Sequence, residues 1–306
     1  MVGVSQPGFP PPPPWWQPTA DPGPIPLRPL ATGELLGAAF GVVRRHLALL
    51  GPVAVLVAAL SSGAMLGILA GTGTLQDFAD TSWVDEMLSG TRTSLPASMY
   101  LATGASLLIS TVGTVLIAGL AAACAGADAI GRHTVRGAPA QRLAGRIPLL
   151  LATSVLVGAA VTVGLVAVVV PGVLAYLAWA VAAPVAAMER SGIGASLRRS
   201  ALLTRGHRGR VLGITLLSLV IGYGIELIVS SVALSAAGSL SSVGLVIVSS
   251  AVTAVVSAVT TSWTGAVMAL LYIDIRVRTE NLAPALRAFA AADRSRRGTG
   301  PALGQA

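Results

Sequence analysis

Long apolar runs dominate this chain, and short segments between them carry almost all of its charge. A helix that spans a bilayer needs about 20 predominantly apolar residues. Six stretches follow that pattern, at 47–70, 99–125, 147–170, 173–188, 211–235 and 243–272. Only Pro171 and Gly172 separate the third from the fourth. Taken as one element, 147–188 is far too long for a single crossing and has arginines at both ends, so a tight outer turn is predicted there. The pattern predicts an all-α fold, a polytopic membrane bundle of about six transmembrane helices.

Shorter periodic stretches flank the spans. Thr32 is a candidate N-cap for a helix through His46, with Leu35, Leu36, Ala39, Phe40 and Val43 forming one apolar face before Arg44 and Arg45. Between the fourth and fifth spans, 191–205 sets Ile193, Leu197 and Leu202 among arginines, the pattern of a second amphipathic interfacial helix. In the loop after the first span, Trp83, Val84, Met87 and Leu88 fall at helical spacing, so either a short helix on the outer leaflet or a solvated loop fits. Residues 1–29 differ from all of these: Pro10 to Pro14 run into Trp15 and Trp16 without apolar periodicity. They are expected to form a disordered cytoplasmic arm without a secretory signal, open to a protein partner that reads proline-rich segments. The resulting domains are the arm over 1–29, the six-helix membrane domain over 30–286 and a flexible cytoplasmic tail over 287–306.

Composition agrees: 54% of the 306 residues are hydrophobic and 10% are charged, with a mean hydropathy of +0.79, whereas soluble domains carry roughly 25% charged residues. The net charge of +8 falls between apolar runs, so it encodes orientation and not nucleic-acid binding. Arg28, Arg44 and Arg45 precede the first span, Arg132 to Arg146 lie between the second and third, Arg190 to Arg210 lie between the fourth and fifth, and Arg276 onward closes the chain. Arg92 falls on the other side, in a loop with Asp77, Asp80, Asp85 and Glu86. The positive-inside rule then predicts N-in and C-in topology in the plasma membrane. Anionic lipid headgroups are the expected partners of the inner face, with Arg198, Arg199, Arg205, Arg208 and Arg210 as headgroup-facing candidates.

Glu226 is the carboxylate deep inside an apolar run, where a charge costs about 3 kcal/mol on insertion scales. It shares a helical face with Thr215, Ser218, Gly222 and Ser230, while Ser250, Thr253, Ser257, Thr260 and Thr264 form a stripe on the next span. Counting equal depth from the turn near Gly238 brings Ser250 and Thr253 to Glu226, so Glu226, Ser230, Ser250 and Thr253 are expected to form an intramembrane polar cluster. Interhelical adhesion and a proton or cation site are both open readings. Asp128 with Arg132, and Asp274 with Arg278, stand four residues apart as local ion pairs. Gly33, Gly37 and Gly41, and then Gly63, Gly67 and Gly71, repeat at the spacing of close helix packing. His46, His133 and His207 lie dispersed beside arginines and are expected to be solvated, and no metal-ligand spacing, P-loop, nucleophile elbow or dinucleotide fingerprint is found. No metal or other cofactor is expected, and Cys124, the single cysteine, cannot form an internal disulfide.

Three motif groups resemble the membrane domain attached to some glycerophosphodiester phosphodiesterases, which also occurs alone in actinobacterial membrane proteins. They are Pro26-Leu27-Arg28-Pro29-Leu30 with Gly33-Glu34-Leu35-Leu36 and Phe40; Pro171-Gly172-Val173, Ala183-Pro184, Glu189, Leu197-Arg198-Arg199-Ser200 and Leu203-Thr204-Arg205-Gly206; and Leu270 to Arg278 with Glu280. Asn281 stands where that family usually has glycine. The resemblance implies a six-helix domain of undefined role. Catalysis in such fusions belongs to a separate barrel that opens on His-Arg-Gly. Gly206-His207-Arg208-Gly209 imitates that opening, but a membrane span follows at once and no length remains for a barrel of about 250 residues.

The expected function is a noncatalytic scaffold or accessory to lipid or envelope metabolism. The alternative is a small transporter or channel that uses the stripe around Glu226. A cysteine introduced at Arg198 should react with an impermeant maleimide only after cells are opened, and one at Arg92 should react on intact cells; the reverse pattern would invert the topology.

Overall fold

The computed structural model describes residues 23–80, 82–131, 143, 145–167, 169–189, 191–236 and 242–298. Its helices are α1 (Thr32–Arg45), α2 (Leu47–Gly71), α3 (Leu75–Ala79), α4 (Ser82–Leu88), α5 (Ala97–Ala129), α6 (Ile147–Ala167), α7 (Val169–Trp179), α8 (Ala182–Met188), α9 (Ile193–Thr204), α10 (Arg208–Ala236), α11 (Ser242–Glu280) and α12 (Leu282–Gly298). No strand occurs among the described residues. Six elements are long and apolar enough to cross a membrane: α2, α5, α6, α7 together with α8, α10 and α11. The protein is an all-α, multi-pass membrane bundle.

Local chemistry explains where the helices break. Pro171 and Gly172, where a turn is predicted, belong to the first turns of α7, which starts at Val169. Proline suits a first turn because its missing N–H has no helical partner there. Gly172 also packs within 2.8 Å of where a Cβ on Gly164 would stand, so the hairpin closes on backbone. The fourth span is itself broken at Ala180 and Val181, where the ring of Pro184 opposes the carbonyl four residues back. Beside this break the Ala178 carbonyl accepts the Ser200 hydroxyl of α9 at 2.9 Å. Asn281 joins α11 to α12 at φ 51, a left-handed conformation that asparagine tolerates and glycine adopts freely. A glycine-like conformation is therefore kept without glycine.

Several expected boundaries shift. Ala31, not Thr32, caps α1, and Leu35, Ala39, Val42 and Val43 are its buried face while Phe40 is exposed. The loop after α2 contains two short helices, with Phe78 stacked on Trp83 at 6.3 Å. The arm expected over 1–29 is anchored before its end, because Ile25 and Leu27 are buried in the core; the remainder, 1–22, lies outside the described residues. The tail expected from 287 continues as α12 to Gly298.

Helix α5 is the centre of the bundle, packing on α2, α11, α6 and α8. From Ile117 to Ala129 it is buried throughout, as is α11 from Gly265 to Ile275. On α5 these residues are largely alanine and glycine, and with Gly265 of α11 they let the backbones approach closely enough for dispersion to hold them in lipid. Outward faces such as Val55, Leu56 and Leu60 of α2 and Val220, Leu227 and Ile228 of α10 are exposed apolar surface, suited to hydrocarbon.

The glycine repeats noted in the sequence do not carry this packing. Gly33, Gly37, Gly63, Gly67 and Gly71 have open space where a Cβ would stand. The close approaches occur at other glycines: a Cβ would stand 2.2 Å from Val57 at Gly113, 2.6 Å from Val112 at Gly158 and 2.7 Å from Ile117 at Gly265. Gly158→Ala and Gly265→Ala should each lower stability by about 1–3 kcal/mol through overpacking. Gly63→Ala and Gly67→Ala should leave it unchanged or raise it, as thermal unfolding in detergent will measure.

Candidate functional site

Two regions concentrate polar chemistry, the arginine-rich end of the bundle and a cavity within its span. At the first, Asp274 of α11 has a fully buried carboxylate. Its Oδ1 accepts the Leu30 N–H at 2.8 Å, and its Oδ2 accepts Arg210 and Arg278, each at 2.9 Å. The two guanidinium groups also donate to the Leu30 carbonyl at 2.6 and 2.9 Å, and Arg287 of α12 donates to the Leu27 carbonyl at 3.0 Å. The stretch from Ile25 to Leu30 is thus a strap fastened across α10, α11 and α12. Its outer edge is set by Glu34, which accepts the Ala31 N–H and pairs with Arg28. The Arg28 guanidinium, with the Ala31 N–H, holds the Glu34 carboxyl below its usual range.

Asp274 with Arg278 forms the predicted local pair. The Arg132 expected to pair with Asp128 lies outside the described residues; among those described, the buried Asp128 carboxylate meets Arg45 at 2.7 Å and His46 at 2.8 Å, both from the junction of α1 and α2. His46 is therefore nearly buried and bonded, not solvated as its position beside arginines implied. His133 also lies outside the described residues. His207 precedes α10, and its Nδ1 is buried with no hydrogen-bond partner among the described residues. A second network joins α8, α9 and α11: Glu189 accepts Arg199 at 3.0 Å and the Tyr272 hydroxyl at 3.1 Å, and Glu280 is shared by Arg199 and Arg276.

These networks divide the headgroup-facing candidates. Arg199 and Arg210 are committed to carboxylates within the protein. Arg198, Arg205 and Arg208 are exposed, make no ion pair among the described residues and, with Ala201, Leu202 and Gly206, line a surface depression of about 420 Å³. Leu202 is 55% exposed in the midst of these cations.

The second region is a cavity of about 430 Å³ bounded by α5, α6, α7, α10 and α11. It exists because α10 packs chiefly along α11, leaving its other flank apart from α5 and α6. Glu226, Ser218, Ser257 and Thr260 line it, as do Ser110, Thr111 and Thr114 of α5 and Tyr176 and Trp179 of α7. Glu226 is half-buried and makes no hydrogen bond or ion pair among the described residues. Of the expected cluster, Ser230 and Thr253 come together, while Glu226 makes no hydrogen bond to them among the described residues. Ser230 meets Thr253 at 3.4 Å, Gly222 faces Thr260, and these pairs bracket Glu226 level with Ser257. The depth count from the turn misplaces it because the two helices meet about two turns further along α11 than a symmetric hairpin would. Ser230, Ser250 and Thr253 lie outside the cavity lining.

The α5 hydroxyls and Tyr176 were missed in the sequence. The four-residue spacing of Ser106, Ser110 and Thr114 was the available signal for the hydroxyls. Thr111 and Thr114 donate to carbonyls of their own helix at 2.7 and 2.8 Å. No group of three metal-ligating side chains occurs among the described residues.

No family model matches the chain, and neither the curated proteins nor the solved structures provide a match.

Removing a partner from a buried ion pair costs about 3–5 kcal/mol, whereas an exposed pair is worth about 1 kcal/mol or less. Asp274→Ala should lower stability by the larger amount and speed proteolysis at Arg28. Glu86→Ala, which breaks the exposed pair with Arg92 at 3.4 Å, should change unfolding by less than about 1 kcal/mol.

Proposed function

We propose that this protein is a noncatalytic membrane domain that holds anionic lipid at its arginine-rich end, as an accessory to lipid or envelope metabolism in the plasma membrane. The observation that carries this reading is the separation of arginines into two populations. Those needed for folding are neutralised by Asp128, Asp274, Glu189 and Glu280. Arg198, Arg205 and Arg208 remain exposed around Leu202, an arrangement suited to a phosphate group with its acyl chain against an apolar side chain. The resemblance to the phosphodiesterase-linked membrane domain supports lipid metabolism as the setting. Residues from all three of its motif groups meet at this end: Leu30, Glu189, Arg199, Tyr272, Asp274 and Glu280.

A second reading, passage of a small solute, is favoured by the cavity that reaches Glu226. Against passage, the cavity lining shares no residue with the arginine depression: it reaches Leu212 on α10, two residues from Arg210, and stops at Ala118 on α5 and Met268 on α11. Beyond them both helices are continuously buried to Ala129 and Ile275. Binding is thus better supported than conduction.

A basic residue near an anionic surface contributes about 1 kcal/mol. Arg198→Gln, Arg205→Gln and Arg208→Gln combined should therefore weaken capture of phosphatidylglycerol from mixed nanodiscs by about two orders of magnitude. The thermal midpoint should stay near the parent value, since none of the three is paired among the described residues. Binding of free inorganic phosphate that matches lipid binding would assign the depression to a soluble anion, and undiminished phosphatidylglycerol capture by the triple variant would overturn the reading.

A further inference from the structure

The carboxyl group in the cavity does not belong to the ion-pair system. Each buried carboxylate at the arginine-rich end is met by a guanidinium group. Around Glu226 the lining is apolar or hydroxylic, and no arginine or histidine is among its described residues. A second polar group there also lacks a partner: Ser218 is fully buried, lines the same cavity, and its Oγ has no hydrogen bond among the described residues. Thr111 and Thr114 already donate their protons to helix carbonyls, so they offer a ligand only oxygen lone pairs. A carboxyl group and hydroxyl acceptors without a cation form a receptor for positive charge.

The walls and the mouth define the rest of the ligand. Leu216, Leu219 and Tyr223 both line the cavity and are 50%, 42% and 67% exposed, which places its opening on the membrane-facing side of α10. A ligand entering there arrives from hydrocarbon and must itself partition into it. Val157, Val161, Val173 and Leu177 supply an apolar bed, and the volume of about 430 Å³ falls within the range of small-molecule sites. Aromatic rings at Tyr176 and Trp179 add faces that attract a cation.

From this geometry we infer that the cavity is a binding site for one lipophilic cation, its charge beside Glu226 and its apolar body between α7 and α10, reached sideways from the bilayer. The site is distinct from the arginine depression and does not rest on the anionic-lipid reading. Its charge preference is the opposite one, so either site can fail without the other.

Tetraphenylphosphonium and tetraphenylborate share a shape and differ in sign, which makes them the probes of choice. In equilibrium dialysis against the full chain in phosphatidylcholine nanodiscs, with empty nanodiscs subtracted, tetraphenylphosphonium should bind saturably at one site per chain. Tetraphenylborate should show no saturable component. Glu226→Gln should weaken the cation at least tenfold. Ser218→Leu, which fills the cavity and removes the unpartnered hydroxyl, should abolish binding without lowering the thermal midpoint. Equal cation affinity in Glu226→Gln, saturable binding of the borate, or unchanged binding in Ser218→Leu would each overturn the inference. Should Glu226→Gln fail to fold, the Ser218→Leu result and the comparison of the two ions decide it.

Discussion

A carboxylate removed from water at the edge of the hydrocarbon must be met by enough donors to replace its hydration, and Asp274 organises one end of this protein around that requirement. It gathers an N–H from the strap and guanidinium groups from α10 and α11, and those groups in turn satisfy the Leu30 carbonyl. The strap and α10 would otherwise be free to move against α11. Asp128 does the same for the junction of α1 and α2. The bundle is therefore registered by charge at one end, while dispersion between small residues holds its interior.

That division of labour explains why space is left where it is. Near the arginine-rich end both helices are buried, and α5 presents mostly alanine and glycine to larger side chains of α11 such as Met268, Leu271 and Tyr272. Further along the span, hydroxyl-bearing residues replace them and α10 leans on α11 alone for most of its length. A helix anchored by Arg210 at one end and packed along one flank leaves room on the other. The cavity at Glu226 follows from this arrangement of anchors.

The arginines show how similar residues acquire different duties. Arg198 and Arg199 are neighbours on α9, yet the helical step between them turns one toward Glu189 and Glu280 and the other toward solvent. A count of positive charge by loop gives orientation and cannot make that distinction. The folded protein sorts the candidates into structural cations and exposed ones, and only the second group has charge available to a ligand.

Membrane immersion, the number of spans and the shared side of the arginine-rich segments were determined by the sequence alone, because apolar length and guanidinium placement act locally and need no knowledge of contacts. The pair of Asp274 with Arg278 was legible for the same reason, since it closes within one helical turn. The partners of Asp128, the role of Gly113, Gly158 and Gly265 in place of the regular glycine repeats, and the level at which Glu226 meets α11 were decided by tertiary structure. Each depends on how helices distant in sequence cross and slide along one another. In a lipid solvent many apolar faces are interchangeable, so the final registry comes from close backbone approach and from a few buried charges, neither of which a linear pattern of hydropathy contains.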